Sequence, residues 1–85
     1  MNLTFSKPAE KDYRDLPQNI QNKADKQFAF LLINYRHPSL HARKKSGSGV
    51  FEARIDFHYR FTFLVEQDEI YVLTIGTHDT GLGKK

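Results

Sequence analysis

The second half of the chain alternates apolar and polar residues in two successive segments, a pattern typical of β-strands with one buried face. Apolar residues alternate with charged ones over positions 51–55, and Phe61, Phe63 and Val65 then alternate with Arg60, Thr62 and Leu64. A third segment, 70–75, is rich in β-branched and aromatic residues and follows a turn at Gln67-Asp68. The pattern predicts an antiparallel sheet in which one face is packed and the other exposed.

The first half predicts a short strand and two helices. Residues 2–6 alternate like a strand, and Ser6 before Pro8 is typical of a helix start. The first helix should end near Pro17, and a second, carrying one apolar stripe up to Tyr35, should end at Pro38. We therefore expect an α+β fold over residues 1–85, a single domain in which an N-terminal strand and an αα-hairpin pack on the sheet.

Strand parity predicts which side chains share the exposed face of the sheet. If the apolar residues of both alternating segments are buried, the simplest hairpin loop is residues 57–59. Asp56 should then lie opposite Arg60, and Arg54 opposite Thr62. Together with Glu52, these charged residues should project away from the helices. Such a face is either a solvated surface with cross-strand ion pairs or a binding surface.

Positive charge is concentrated in the middle of the chain. Residues 36–60 contain six basic side chains and two acidic ones, although the whole chain carries a formal charge of only +3. A concentrated basic patch attracts polyanions, whereas the same residues in a solvated loop would have no ligand. Charge alone leaves both interpretations open.

His78 is the candidate for acid–base chemistry. It follows Gly76 and Thr77 at the end of the third predicted strand, where glycine permits a sharp bend back over the sheet. A histidine there can transfer a proton near neutral pH, or it can be a solvent-exposed residue of the tail. Together with the basic face, it suits metal-free cleavage of RNA, whose 2′-hydroxyl supplies the nucleophile.

Several other classes of site are disfavoured. The chain has no cysteine, so disulfides and thiolate chemistry are excluded. Pro38 prevents a helix from placing His37 and His41 on one face, and we expect neither a metal nor a cofactor. There is no apolar run of about 20 residues and no signal-peptide pattern, which predicts a cytoplasmic protein that does not bind membranes.

Three stretches make the sequence resemble the RelE/ParE superfamily, the toxins of bacterial type II toxin–antitoxin pairs. They are Phe51-Glu52-Ala53-Arg54-Ile55, His58-Tyr59-Arg60-Phe61 and Ile75-Gly76-Thr77-His78-Asp79. The last is most similar to the YafQ-like branch. The resemblance covers nearly the whole length and implies a RelE-like fold with a cognate antitoxin as partner.

The resemblance also implies an activity and residue roles. RelE-like members cut mRNA in the ribosomal A site without a metal, through attack of the 2′-hydroxyl on the adjacent phosphate. By position, Arg54 matches a catalytic basic strand residue, Arg60 the arginine that stabilises the phosphate, and His78 the group that protonates the leaving 5′-oxygen. The expected RNA-binding residues are His41, Arg43, Lys44, Lys45 and His58.

The sequence departs from the pattern of the superfamily at two points. Glu52 stands where a second lysine is common, and it is either a general base or a partner of Arg54. The tail after Asp79 lacks the usual aromatic residue and offers Leu82 instead. Two alternatives therefore stay open beside the nuclease: a ParE-like inhibitor of DNA gyrase, and an inactive relative that only binds RNA or an antitoxin.

Overall fold

The computed structural model describes residues 2–45 and 49–77. Its helices are α1 (Lys7–Arg14), α2 (Gln18–Ile33) and a 3₁₀ turn (Pro38–Leu40). Its strands are β1 (Asn2–Phe5), β2 (Arg43–Lys44), β3 (Phe51–Arg54), β4 (Tyr59–Glu66) and β5 (Glu69–Thr77). Neither of the two α-helices in these ranges is long and apolar enough to cross a membrane.

The five strands form one mixed sheet in the order β1-β5-β4-β3-β2. Neighbouring strands from β2 to β5 are antiparallel, as predicted, and the α+β fold is confirmed. The N-terminal strand is itself part of the sheet, because β1 pairs in parallel with β5, from Asn2 beside Glu69 to Phe5 beside Val72. The sheet therefore joins the beginning of the chain to its last strand.

Both helices contribute apolar residues to a core on one face of the sheet. The stripe of α2 is buried at Ile20, Ala24, Phe28 and Leu31, as its helical spacing predicts. The Phe28 ring meets Phe61 of β4 edge-on, with centroids 5.1 Å apart. The helix ends at Ile33, earlier than the predicted stop at Pro38, because Asn34 is already extended.

A β-bulge interrupts the pairing of β4 with β5. Thr62 lies opposite Thr74, but Phe63 lies opposite Val72, so Leu73 is an extra residue in β5. Because of the extra residue, the alternation of buried and less buried side chains shifts by one position along β5. Ile70 and Val72 are buried at a spacing of two, and the next buried residue is Ile75. The bulge therefore points Ile75 into the core and places Gly76 on the same face as Thr74.

Side chains next to and within α1 satisfy the backbone at this bulge. The Ser6 hydroxyl donates to the carbonyl of Leu73 (2.8 Å) and accepts from the amide of Ala9 (3.1 Å), so one oxygen serves the bulge and the predicted helix cap. The carboxylate of Asp12 accepts from the amide of Ile75 at 3.1 Å. Beyond the end of β1, α1 thus takes the place of a neighbouring strand.

The predicted register of the β3–β4 hairpin is wrong by two residues. Arg54 lies opposite Arg60, and Glu52 opposite Thr62. The reason is Asp56, whose carboxylate accepts from the amides of His58 (2.9 Å) and Tyr59 (3.0 Å) and so belongs to the turn. Its other oxygen lies 3.4 Å from Lys23 Nζ of α2, so Asp56 does not share the face of the arginines.

We predict that the contact between Asp12 and Ile75 stabilises the whole sheet. Asp12→Ala leaves a partly buried amide without its acceptor and should lower the free energy of unfolding by about 1–3 kcal/mol. Asp12→Asn, which keeps an acceptor oxygen, should lose less. Urea unfolding measures both, with Glu10→Ala as the control for loss of an exposed carboxylate from the same helix. Equal stabilities of the Asp12→Ala and Glu10→Ala variants would contradict the prediction.

Candidate functional site

A cleft of about 390 Å³ lies on the face of the sheet that the helices leave uncovered. Its floor comes from β3 and β4, and its wall comes from the segment that leads into β2. It is lined by His41, Ala42, Arg43, Glu52, Ala53, Arg54 and Arg60. The two catalytic arginines that the sequence predicted, and two of the predicted RNA-binding residues, therefore share one cavity.

Arg54 and Arg60 are direct cross-strand neighbours. Like charges at opposed positions of a sheet repel, and carboxylates usually relieve such repulsion. Among the described residues, neither arginine has a carboxylate within 4.0 Å. Nε of Arg54 is buried and has no hydrogen-bond partner there either. The cleft thus keeps two positive charges together, with donor capacity that these parts of the chain leave unused.

Arg60 is held by the backbone of the hairpin. Its Nη1 donates to the carbonyls of Asp56 (3.1 Å) and Phe57 (3.4 Å). On its other side, Arg60 faces Gly76 of β5. Because glycine has no side chain, this neighbour places no side chain beside the arginine. The guanidinium is therefore fixed at the edge of the cleft by the hairpin carbonyls.

Glu52 is the acidic residue that lines the cleft. The sequence left it as either a general base or the partner of Arg54. Within residues 2–45 and 49–77, no ion pair joins the two side chains at 4.0 Å or less. The carboxylate thus remains available for another contact in the cleft.

The predicted RNA-binding residues occupy three places. His41 and Arg43 line the cleft, and His41 adopts a left-handed conformation (φ 49°) where it ends the 3₁₀ turn. Lys44 and Lys45 line an adjoining cleft of about 290 Å³ together with Arg43 and Glu52. His58 is exposed in the β3–β4 turn and is not among the residues that line either cleft.

His78, the predicted general acid, lies outside the described residues. The described chain ends at Thr77, which pairs with Tyr59, and the preceding Gly76 lies opposite Arg60. The end of β5 therefore approaches the arginines. The catalytic role of His78 remains a prediction.

Gln27 is a buried residue of the site region that the sequence did not single out. Its side chain is on the core side of α2, and the residue is only 8% exposed. Nε2 donates to the carbonyls of Arg54 (2.7 Å) and Ser39 (3.0 Å). The amide thus ties the end of β3 to the turn that precedes His41, which are two sides of the cleft. The signal was a polar residue inside an otherwise apolar helical stripe.

The pKa of Asp56 lies below the ordinary value of an aspartate. Burial acts to raise the pKa of this carboxyl, but the amides of His58 and Tyr59 and the ammonium of Lys23 outweigh burial and lower it below the ordinary value. The ionised carboxylate orders the same turn whose carbonyls hold Arg60. The geometry of the cleft therefore depends on the charge of Asp56.

We predict that Asp56 contributes to stability in a pH-dependent way. Because its pKa is lower in the folded chain, the contribution is present above the ordinary value of 3.8 and is lost as pH falls through the folded pKa. Asp56→Asn should make the loss of stability below about pH 4 shallower. Urea unfolding between about pH 2.5 and 7 tests this. An unchanged pH slope relative to the parent would contradict it, and Asp68→Asn, in the other hairpin turn, is the matched control.

We also predict a cost for removing the amide of Gln27. Gln27→Met keeps the size of the side chain but leaves two backbone carbonyls without their donor, which should lower the free energy of unfolding by about 1–3 kcal/mol. Gln21→Met, which removes a hydrogen bond from α2 to the carbonyl of Tyr13 outside the cleft, is the comparison. If the cleft binds RNA, as the sequence predicts, binding of a short RNA should fall for Gln27→Met and not for Gln21→Met. Equal RNA binding by the two variants would show that Gln27 does not align the cleft.

Comparisons with known proteins agree with this architecture. Residues 3–81 match the model of a family described as the ParE toxin of the type II toxin–antitoxin system parDE. No curated protein matches the sequence significantly.

Solved structures of the same fold include several complexes. The chain is similar to the archaeal RelE–RelB complex from Pyrococcus horikoshii OT3, with a TM-score of 0.79, 17% identity, and 94% of this chain and 97% of that one covered. It is similar to the YoeB–YefM complex from Staphylococcus aureus, with a TM-score of 0.76, 20% identity, and 92% of this chain and 97% of that one covered. It is also similar to the E. coli DinJ–YafQ toxin–antitoxin complex, with a TM-score of 0.73, 20% identity, and 95% of this chain and 96% of that one covered.

Proposed function

Because the chain belongs to the ParE toxin family of type II toxin–antitoxin systems, we propose that it is an endonuclease that cuts mRNA on the ribosome without a metal. The cleavage inhibits translation, and a cognate antitoxin neutralises the toxin. The observation that carries the proposal is the pair of opposed arginines, Arg54 and Arg60, in a cleft that also contains a carboxylate and a histidine.

An RNA phosphate fits the arginine pair better than other ligands. Guanidinium groups bind phosphate oxygens through two parallel hydrogen bonds and carry their charge at every physiological pH. A bound phosphodiester would relieve the repulsion between the two arginines. The arginines themselves supply the positive charge that the transition state needs, and they do not ligate metals.

The reaction needs a base and an acid in addition to these cations. Glu52 in the cleft takes the proton of the attacking 2′-hydroxyl, whose oxygen forms the new bond to phosphorus. The bond from phosphorus to the 5′-oxygen breaks, and His78 gives that oxygen a proton. The products are a 2′,3′-cyclic phosphate and a 5′-hydroxyl end. Arg60 stabilises the charged transition state, and Arg54 positions the backbone or assists the proton transfer.

The remaining basic residues bind the RNA substrate. His41, Arg43, Lys44 and Lys45 line connected clefts, where they contact neighbouring phosphates of the mRNA in the ribosomal A site. His58, at the tip of the hairpin, contacts the RNA from outside the cleft. The protein acts in the cytoplasm, where ribosomes and the antitoxin are found.

A second candidate function is inhibition of DNA gyrase by binding, without any nuclease activity. The name of the matching family favours it, since that model describes the ParE toxin. The same fold supports either activity, so the fold does not decide between them. The opposed arginines favour the nuclease.

We predict that single substitutions of Arg60 and of His78 abolish toxicity. Arg60→Ala should slow RNA cleavage about 10²–10³-fold, because it removes charge stabilisation in the transition state. His78→Ala should slow it about 10²–10⁴-fold, as expected for a lost general acid. Both should relieve growth arrest without unfolding the protein. Primer extension on cellular mRNA after induction maps the cuts, and Lys26→Ala, on the exposed side of α2, is the control.

Three outcomes would contradict the nuclease. If Arg60→Ala and His78→Ala remain fully toxic, the assignment of the site is wrong. If DNA replication stops before translation and transcripts stay intact, the toxin acts on gyrase instead. Intact transcripts with no arrest of either process would indicate an inactive relative.

A further inference from the structure

A basic cleft that is distinct from the two lined by Glu52 lies around the edge of the sheet from the arginine pair, and we call it the second cleft. It has a volume of about 360 Å³ and is lined by Tyr35, Arg36, Ala42, Arg43, Lys44 and Phe51. Ala42 and Arg43 also line the central cleft, so the two cavities adjoin. None of the residues that line the second cleft is acidic. Its volume lies within the usual range for ligand sites.

Strand alternation explains why the two clefts meet at β2. Arg43 pairs with Glu52 on the uncovered face of the sheet, and Lys44 pairs with Phe51 on the helix face. Because β2 is the outermost strand of the sheet formed by residues 2–45 and 49–77, no further strand of these ranges separates the two faces at this edge. An extended ligand can therefore pass from the arginine pair around β2 into the second cleft.

Aromatic rings and cations alternate in the second cleft. Cζ of Arg36 lies 5.6 Å from the centroid of the Tyr35 ring, and Nζ of Lys44 lies 6.0 Å from that of Phe51. The two rings meet edge-on with centroids 5.5 Å apart. The packing of the two rings against each other thus fixes their positions, and a cationic side chain lies close to each ring.

The position of Tyr35 and Arg36 follows from the early end of α2. Asn34 is extended, and its side-chain oxygen accepts from the amide of Arg36 at 3.0 Å. This turn directs the two residues toward β2 and β3 instead of continuing the helix. The Tyr35 ring reaches Phe63 of β4 as well, at 6.4 Å, so the platform is anchored to the core.

We propose that this cleft binds the nucleotides that flank the scissile bond of a single-stranded RNA. Single strands are recognised by cations that contact phosphates and by aromatic or guanidinium planes on which bases stack. The second cleft offers both kinds of group, with Tyr35 and Arg36 as the stacking planes, because Phe51 is stacked on Phe63 with centroids 5.3 Å apart and has Lys44 over its ring. An acidic peptide would use only the cations. The inference rests on the proposed nuclease function and extends its substrate site by a second subsite.

The test is the dependence of affinity on RNA length. Short and long single-stranded RNAs with methylated 2′-hydroxyls cannot be cleaved, and fluorescence anisotropy measures their binding at low salt. The long RNAs are extended at either the 5′ or the 3′ end. We compare the parent with the double variant Arg36→Ala/Lys44→Ala. Lys7→Ala/Lys26→Ala, which removes two exposed charges outside both clefts, is the matched control.

The parent should bind one of the extended RNAs more tightly than the short one. Arg36→Ala/Lys44→Ala should abolish this increase in affinity and weaken binding of the long RNA by a larger factor than binding of the short RNA. Its salt slope on the long RNA should fall by about 1.4, at roughly 0.7 for each single-strand phosphate that the variant no longer neutralises. The control variant should retain the increase.

Three results would overturn the inference. One is a parent whose affinity does not rise with length, another is a double variant that matches the control, and the third is an equal loss of affinity for short and long RNA. A double variant that loses affinity for the antitoxin but keeps the increase with length would assign the cleft to the antitoxin. None of these affects the nuclease itself, which the substitutions of Arg60 and His78 test separately by cleavage.

Discussion

The sheet depends on the contacts between α1 and the bulge of β5. The hydroxyl of Ser6 and the carboxylate of Asp12 bind backbone groups that no strand reaches, because β1 ends at Phe5. The bulge lets Ile75 enter the core and puts a glycine opposite Arg60. If the same sequence paired without a bulge from Phe63 opposite Val72 onward, Ile75 would lie opposite Arg60, and its side chain would share the face of the arginine.

The cleft keeps two like charges together at a cost in stability. Arg54 and Arg60 face each other, and the surroundings position them without neutralising them. Gln27 binds the carbonyl of Arg54, while the turn that is ordered by Asp56 binds the guanidinium of Arg60. The core that α2 forms with the sheet offsets the repulsion. Sites that bind a charged transition state are commonly arranged before the ligand arrives, and this arrangement has that property.

Much of the fold could be predicted from the sequence, because apolar spacing directly reports burial. Alternation located β3 and β4, and Ser6 marked the start of α1. The register could not be predicted, since it depends on two hydrogen bonds that the carboxylate of Asp56 makes within the turn. The bulge could not be predicted, because residues 70–75 are nearly all apolar and show no alternation that an extra residue would interrupt. In the site, Arg54, Arg60, His41 and Arg43 share the predicted surface, whereas His58 lies apart from it at the hairpin tip.

The parallel pairing of β1 with β5 has a consequence for how the chain folds. Asn2 lies beside Glu69, so β1 can pair only after β5 has been synthesised. Contacts between such distant residues carry a large loop-closure cost and slow the search for the native state. Until β1 docks, one edge of β5 remains open to pairing with another chain. The nascent chain is therefore most prone to misassociate after β5 has been synthesised and before β1 has docked on it.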